Sequence, residues 1–243
     1  MIKLVYRISN AGYANKIKPN YVNNENCLRN AIMAFPFNTT DWHVLADGVN
    51  EETKQMIEKY IPTDRVEHIN ITNGSGYPFM YSLNKFINLP DDTIIYFVEN
   101  DYIHRPGSDI VLREGFELGT DYVTLYDHPD KYINPDKGGN PFIEDNGEIT
   151  RVYLSNSCHW KLTNSTTGTF AAKVSTLKRD YQTISKFANQ PYLDDFHMFI
   201  ELLQSLNKTL ISPIPGYSTH GETKWLTPLI DWEKIMLNTI KEI

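Results

Sequence analysis

Apolar positions along the first hundred residues recur in two rhythms, one of period two and one near 3.6, with turn residues where the chain changes from one to the other. Ile2 to Ile8 reads as a strand, followed by a polar loop from Ser9 to Asn24 that holds Gly12 and Pro19. Cys27, Leu28, Ala31, Ile32 and Phe35 then repeat at helical spacing; Asn24 or Asn26 can cap this helix, and Pro36 stands just past its end. Trp42 to Ala46 is a second strand that closes on Asp47-Gly48-Val49-Asn50. Glu51 to Tyr60 is a second helix, acidic in its first turn and apolar at Met56, Ile57 and Tyr60. A third strand, Val66 to Ile71, leads through Asn73-Gly74-Ser75-Gly76 into a helix over Pro78 to Ile87 carrying Phe79, Leu83 and Phe86. After the Pro90-Asp91-Asp92 turn, Ile94 to Val98 is a continuous apolar run, as expected of a strand buried on both faces. Strands alternating with helices in this way predict βαβ units, right-handed crossovers and a parallel sheet.

The second half has a different texture. Tyr122 to Tyr126 is a further strand, but Asp127 to Gly147 is a polar loop of Asp, Pro, Gly and Asn, long enough to imply a function of its own. Val152 to Leu154 and Gly168 to Ala172 bracket Ser155 to Thr167, which reads as a hairpin or strand pair. Pro191-Tyr192-Leu193-Asp194-Asp195 starts a helix with Leu193, Phe196, Ile200, Leu203 and Leu206 on its apolar face. Leu210 to Ile214 is a last strand, Pro215 to Trp225 a tail with Gly, His and Thr, and Leu229 to Ile243 a closing amphipathic helix.

The chemistry concentrates where the buried run ends, at Glu99-Asn100-Asp101. Ligands of open α/β sheets bind beyond the carboxyl ends of the strands. If the extended geometry persists, both acids project from one side and can meet one hard cation. The same three residues also suit an acidic turn after a strand.

Composition narrows the partners. The formal charge of -7, with basic residues scattered, argues against nucleic acid. The 15 Tyr, 11 Phe and 4 Trp supply surfaces for stacking on rings. Lys3 and Arg7 interrupt what would be a signal peptide's apolar region, and no run approaches the ~18 apolar residues that span a bilayer. A soluble, cytoplasmic protein without a transmembrane segment is expected, with Cys27 and Cys158 as reduced thiols.

Taken in order, these motifs resemble the GT-A fold of nucleotide-sugar-dependent glycosyltransferases, most closely the inverting family-2 group. Asp47-Gly48-Val49-Asn50 is similar to that family's Asp-Asp-Gly-Ser turn, whose first acid contacts the base. Asn73-Gly74-Ser75-Gly76, with Ser82 and Asn84, is similar to its Asn-x-Gly stretch near the nucleotide. Glu99-Asn100-Asp101 matches the acid-x-acid metal (DXD) motif with Glu in first place. Leu193-Asp194-Asp195 stands where the family has x-Glu-Asp, and His220 where many GT-A enzymes have a late metal or diphosphate ligand. The fold expected is therefore α/β: a single GT-A-like (Rossmann-like) domain over 1–243 with a mixed, mainly parallel sheet flanked by helices. Residues 1–101 would form the nucleotide-binding half, 102–228 the acceptor-binding half and 229–243 a terminal helix.

The resemblance implies a transferase that moves a sugar from a nucleoside-diphosphate sugar, a UDP-sugar favoured, to a glycan or other hydroxyl acceptor, inverting by direct displacement. Charge grows on the departing diphosphate, and a divalent cation offsets it. Asp101 and His220 would hold the ion, with Glu99 reaching it through water or binding the ribose. An imidazole among oxygens tilts the choice to Mn²⁺ over Mg²⁺. Asp195 is expected to be the base, and Asp194 its alternative; either can instead cap the helix. Arg7, Ser9, Asp47, Gly74, Ser75, Asn84 and Lys224 are the donor-binding candidates, and Trp160 with His159 the acceptor platform, although a Trp is more often core.

Two other readings stay open. A nucleotidyltransferase making nucleotide sugars needs a Gly-rich, basic loop after the first strand, and Ser9 to Lys18 is sparse in both. A noncatalytic carbohydrate-binding module could keep the fold alone.

Overall fold

The computed structural model describes residues 1–11, 16–71 and 74–242; Gly12 of the first loop, Asn73 of the Gly-rich turn and Ile243 of the last helix lie outside the described residues. Four strands, β1 (Ile2–Ile8), β2 (Thr40–Asp47), β3 (Val66–Ile69) and β4 (Ile94–Glu99), alternate with helices α1 (Asn24–Ala34), α2 (Glu51–Tyr60) and α3 (Gly76–Phe86), as the periodicity predicts. The chain continues through β5 (Tyr102–His104), α4 (Ser108–Glu117), β6 (Tyr122–Val123), β7 (Val152–Leu154), β8 (His159–Leu162) and β9 (Phe170–Lys173). Then come α5 (Val174–Ala188), α6 (Asp195–Ser205), β10 (Leu210–Ile214), β11 (Ser218–His220) and α7 (Trp232–Glu242).

Nine strands form one sheet in the order β3-β2-β1-β4-β9-β6-β10-β8-β7. Strands β3, β2, β1, β4, β6, β10 and β7 run one way, and β9 and β8 oppose them, which makes the sheet mixed but mostly parallel. The strand from 168–172 does not close a hairpin with 152–154. It enters the middle of the sheet between β4 and β6, while β7 pairs with β8.

Alternation along the strands sorts the core into two layers. Leu4, Tyr6, Tyr96 and Val98 pack with Leu28, Ala31, Val111 and Phe116 of α1 and α4. Val5, Ile95 and Phe97 pack on the other face with Leu83, Leu177, Ile184 and Met198 of α3, α5 and α6. Each fully buried aliphatic or Phe side chain contributes about 1.5–3 kcal/mol. Helices α4 and α5 carry their own periodic signal, Val111, Leu112 and Phe116 in one and Leu177, Ile184 and Ala188 in the other, and both are buried at those positions. No helix among the described residues is long and apolar enough to cross a membrane.

The core includes a titratable imidazole. His104 is fully buried; its Nε2 lies 2.9 Å from the Tyr96 hydroxyl, while Nδ1 meets no partner among the described residues. Burial disfavours the charged ring and lowers its pKa to about 3. An unfolded imidazole takes up its proton below about pH 6.5. Between those values the unfolded state binds more protons, so stability is lost as pH falls through this window. The urea midpoint of the wild type is expected to drop more steeply from pH 7 to pH 4 than that of His104→Gln; equal slopes would contradict the assignment.

Candidate active site

The carboxyl ends of β1, β2 and β4 lie side by side, and the parallel register sets Arg7 beside Glu99. The Arg7 guanidinium donates to Glu99 Oε2 (3.1 Å), twice to Asp47 Oδ2 (2.8 and 3.2 Å) and to the Gly74 carbonyl (2.8 Å). Asp47 is fully buried, and its other oxygen accepts from the Ile71 amide at 2.7 Å. The expectation that Asp47 contacts a base is corrected: both its oxygens are spent inside the protein, where they fix Arg7 and the turn after β3. Asn100 adds a second tie, donating to the Ser9 carbonyl (3.1 Å) and to Asn24 Oδ1 (2.6 Å), which joins the β1 end to the start of α1.

Beyond Glu99 the chain turns and forms β5, which pairs with β11 so that His220 lies opposite Tyr102. This two-stranded ribbon carries His220 to Asp101 across 119 residues of sequence, Nε2 to Oδ2 at 3.1 Å. The Gly221 amide donates to the Asp101 carbonyl at 2.7 Å, and a Cβ at Gly221 would stand 2.6 Å from that same oxygen, so the approach requires glycine. Lys18 Nζ meets Asp101 Oδ2 at 2.5 Å. Burial would raise the Asp101 carboxyl, but His220 and Lys18 outweigh it and hold it well below the usual carboxylate range. Burial raises Glu99, with Arg7 opposing and Asp101 reinforcing the shift. The two acids therefore do not converge on one point: Glu99 is turned to Arg7 and Asp101 to His220 and Lys18.

These groups line a cavity of about 750 Å³ shared by Arg7, Ser9, Lys16, Gly74, Ser75, Glu99, Asp101, His220, Thr167, Gly168, Pro191, Tyr192, Leu193 and Asp195. Because β9 is antiparallel, its amino end lies beside the carboxyl end of β4, with Phe170 opposite Phe97, and it delivers Thr167 and Gly168 to this rim. There Asp195 Oδ2 accepts from Thr166 Oγ1 (2.5 Å) and the Gly168 amide (2.9 Å), while Oδ1 has no hydrogen bond among the described residues. Thr167 and Gly168 both have positive φ, and Tyr102 braces the bend by donating to the Thr166 and Thr167 carbonyls at 2.9 and 3.1 Å. The Gly-rich turn locks onto the segment before α6: the Gly76 amide donates to the Pro191 carbonyl (3.0 Å) and the Leu193 amide to Ser75 Oγ (3.2 Å). A Cβ at Gly74 or Gly76 would lie 2.0 or 2.1 Å from a carbonyl oxygen of that segment.

The neighbouring acids divide two roles. Asp194 is the N-cap of α6, accepting from the His197 amide at 3.2 Å and facing its ring, whereas Asp195 reaches the cavity. Besides Asp47 and Asp194, four candidates lie away from the cavity. Trp160 is fully buried, its indole N–H donating to Ser155 Oγ at 3.0 Å, so it is core and not a platform. His159 is exposed on β8 outside the cavity, Asn84 accepts from the Tyr181 hydroxyl at 2.7 Å on an exposed surface, and exposed Lys224 lies over the Trp225 ring.

Sequence reasoning missed Lys16, Lys18 and Tyr192. Lys16 pairs with Glu222 at 2.8 Å; burial would lower its ammonium, but Glu222, Asp101 and Glu99 raise it. The two-residue spacing of the lysines after the first strand is a signal that a search for a dense Gly-rich loop passes over. Tyr192 lies at the cavity rim with 74% of its surface exposed.

Whether a divalent cation suits the site can be judged from the donor set. Asp101 and His220 offer a carboxylate and an imidazole in mutual contact at a wall rich in acids. Among the described residues no third His, Cys, Asp or Glu joins them. Two protein donors fit an ion that fills the rest of its shell with phosphate oxygens and water.

The mixed, mostly parallel sheet and its flanking helices give an α/β domain of the GT-A or Rossmann-like type. No protein-family model matches the chain, and no curated protein matches it in sequence. Among solved structures it is similar to S. aureus TarS 1–349, at 14% identity and a TM-score of 0.49, over 89% of this chain and 59% of that one. It is also similar to a 4-diphosphocytidyl-2C-methyl-D-erythritol synthase from Anaerococcus prevotii, at 11% identity and a TM-score of 0.48, over 99% of this chain and 97% of that one.

Proposed function

We propose that the protein is a glycosyltransferase that moves a sugar from a nucleoside-diphosphate sugar, a UDP-sugar first among candidates, to a hydroxyl of a glycan or other acceptor with inversion. The observation that carries this reading is Asp195, oriented by Thr166 and the Gly168 amide, in one cavity with the Asp101–His220 pair. Donor and base are thereby served from one cavity. The acceptor oxygen bonds to the anomeric carbon as the bond to the diphosphate breaks; the electron pair leaves with the diphosphate, and the hydroxyl proton passes to Asp195. Oδ1, which has no hydrogen bond among the described residues, is the oxygen that takes it. Asp101 and His220 would hold a divalent cation, Mn²⁺ or Mg²⁺, which when bound offsets charge on the leaving diphosphate. Ser9, Gly74 and Ser75 line the nucleotide end, and the Tyr192 ring offers an apolar face to a sugar.

Nucleotidyl transfer is the second reading, favoured by Lys16 at the cavity and Lys18 behind it on the loop after β1, where a triphosphate would need cations. Calorimetric titration with a panel of nucleoside diphosphates, triphosphates and sugars, first with Mn²⁺ and then with chelator, separates the two. Cation-dependent binding of one nucleoside diphosphate is expected. No binding with any metal would sink the proposal, and preferential triphosphate binding with release of pyrophosphate on turnover would support the second reading.

A further inference from the structure

We infer that Lys18 is a tethered counter-ion holding the cation position on Asp101, so that a divalent cation and a nucleoside diphosphate enter the site as a coupled pair; this rests on the donor reading above. Lys18 Nζ and His220 Nε2 both address the same atom, Asp101 Oδ2, at 2.5 and 3.1 Å. The side chains of Lys18 and Asp101 are only 6% and 7% exposed, so the contact is shielded from water. The Asp101 oxygen that faces His220 thus already carries a cation. An ammonium and a divalent ion compete for one carboxylate oxygen, because positive charges ~3–4 Å apart repel strongly where screening is poor.

The surrounding charge explains why entry would be joint. Asp47, Glu99, Asp101, Asp195 and Glu222 face Arg7, Lys16 and Lys18, an excess of carboxylates when all are ionised. A diphosphate arriving alone meets that excess. A cation arriving alone must break a buried ion pair and leave the Lys18 ammonium without its acid. Together each removes the other's obstacle: the ion takes Asp101, and the ammonium displaced from that acid, a compact charge with three donors on a flexible stem, turns to the phosphate oxygens. Such coupling is reciprocal, so each ligand must tighten the other by the same factor.

The test uses the full chain with Mn²⁺ and UDP as probes, by isothermal titration calorimetry, on the wild type, Lys18→Met and Lys18→Arg. In the wild type, saturating UDP is expected to tighten Mn²⁺ at least tenfold, and the reverse. Lys18→Met is expected to bind Mn²⁺ alone at least tenfold tighter than the wild type, with the gain from UDP reduced, while Lys18→Arg stays like the wild type. Unchanged or weaker Mn²⁺ binding by Lys18→Met overturns the inference, as does wild-type Mn²⁺ binding that is indifferent to UDP while UDP itself binds. If neither protein binds any nucleoside diphosphate but Lys18→Met still binds Mn²⁺ more tightly, the exchange on Asp101 stands and the donor reading falls. Should Lys18→Met fail to fold, wild-type protein carrying ¹³C-methylated lysines reports directly: the Lys18 signal, assigned through Lys18→Arg, should move on adding Mg²⁺ with UDP, and a stationary signal overturns the inference.

Discussion

Asp195→Asn is expected to lower transfer by about two to four orders of magnitude, the range of a lost general base, while leaving nucleoside-diphosphate affinity unchanged. The substitution keeps the shape of the side chain. Its amide oxygen can still accept from Thr166 and the Gly168 amide, so the bend before β9 and the start of α6 are retained. What disappears is the oxygen proposed to accept a proton. Asp194→Ala provides the contrast, since Asp194 caps α6 and does not line the cavity. It should cost about 0.5–2 kcal/mol of stability and leave the rate per folded molecule near that of the wild type. Steady-state rates with calorimetric donor affinities check both; an Asp195→Asn enzyme of near-normal kcat would remove Asp195 from the reaction.

The second large effect is on stability. Arg7→Met is expected to destabilise the protein by about 3–5 kcal/mol, the cost of leaving a buried charge without its partner. Asp47 is fully buried and would keep only the Ile71 amide, while Glu99 would lose the guanidinium opposing its burial. Arg7→Lys should recover only part of this, because one ammonium cannot reproduce the fork that reaches Asp47, Glu99 and the Gly74 carbonyl. Adding Asp47→Asn to Arg7→Met should restore part of the loss, since the neutral amide still accepts from Ile71. Urea midpoints at pH 7 measure all three, and a double variant no more stable than the single one would contradict the charge argument.

The first hundred residues were legible because strand and helix periods there are regular and the turns carry Gly, Asn and Pro; β1 to β4 and their parallel order follow the expectation. Asp101, His220 and Asp195 stood out as candidates in sequence order, and the structure brings all three to one cavity. The rest depends on contacts between distant segments. Nothing local says that 170–173 leaves its neighbours to enter the sheet beside β4, or that Trp160 turns inward to Ser155. Asp47 looked like a ligand because its motif resembles one; only the three-dimensional position of Arg7 shows that its oxygens are taken. Lys18 was illegible for a similar reason, since its partner Asp101 lies 83 residues on.

The backbone latch between Gly74-Ser75-Gly76 and Pro191 to Leu193 also bears on how such a chain could diversify. Main-chain atoms, the Ser75 hydroxyl and two absent side chains join the Gly-rich turn to the segment that leads into the helix carrying Asp195. On the proposed function, the spacing between leaving group and base is therefore inherited with the scaffold. Residues around Tyr192 and in the long segment after β6 could drift toward new acceptors without that spacing having to be found again.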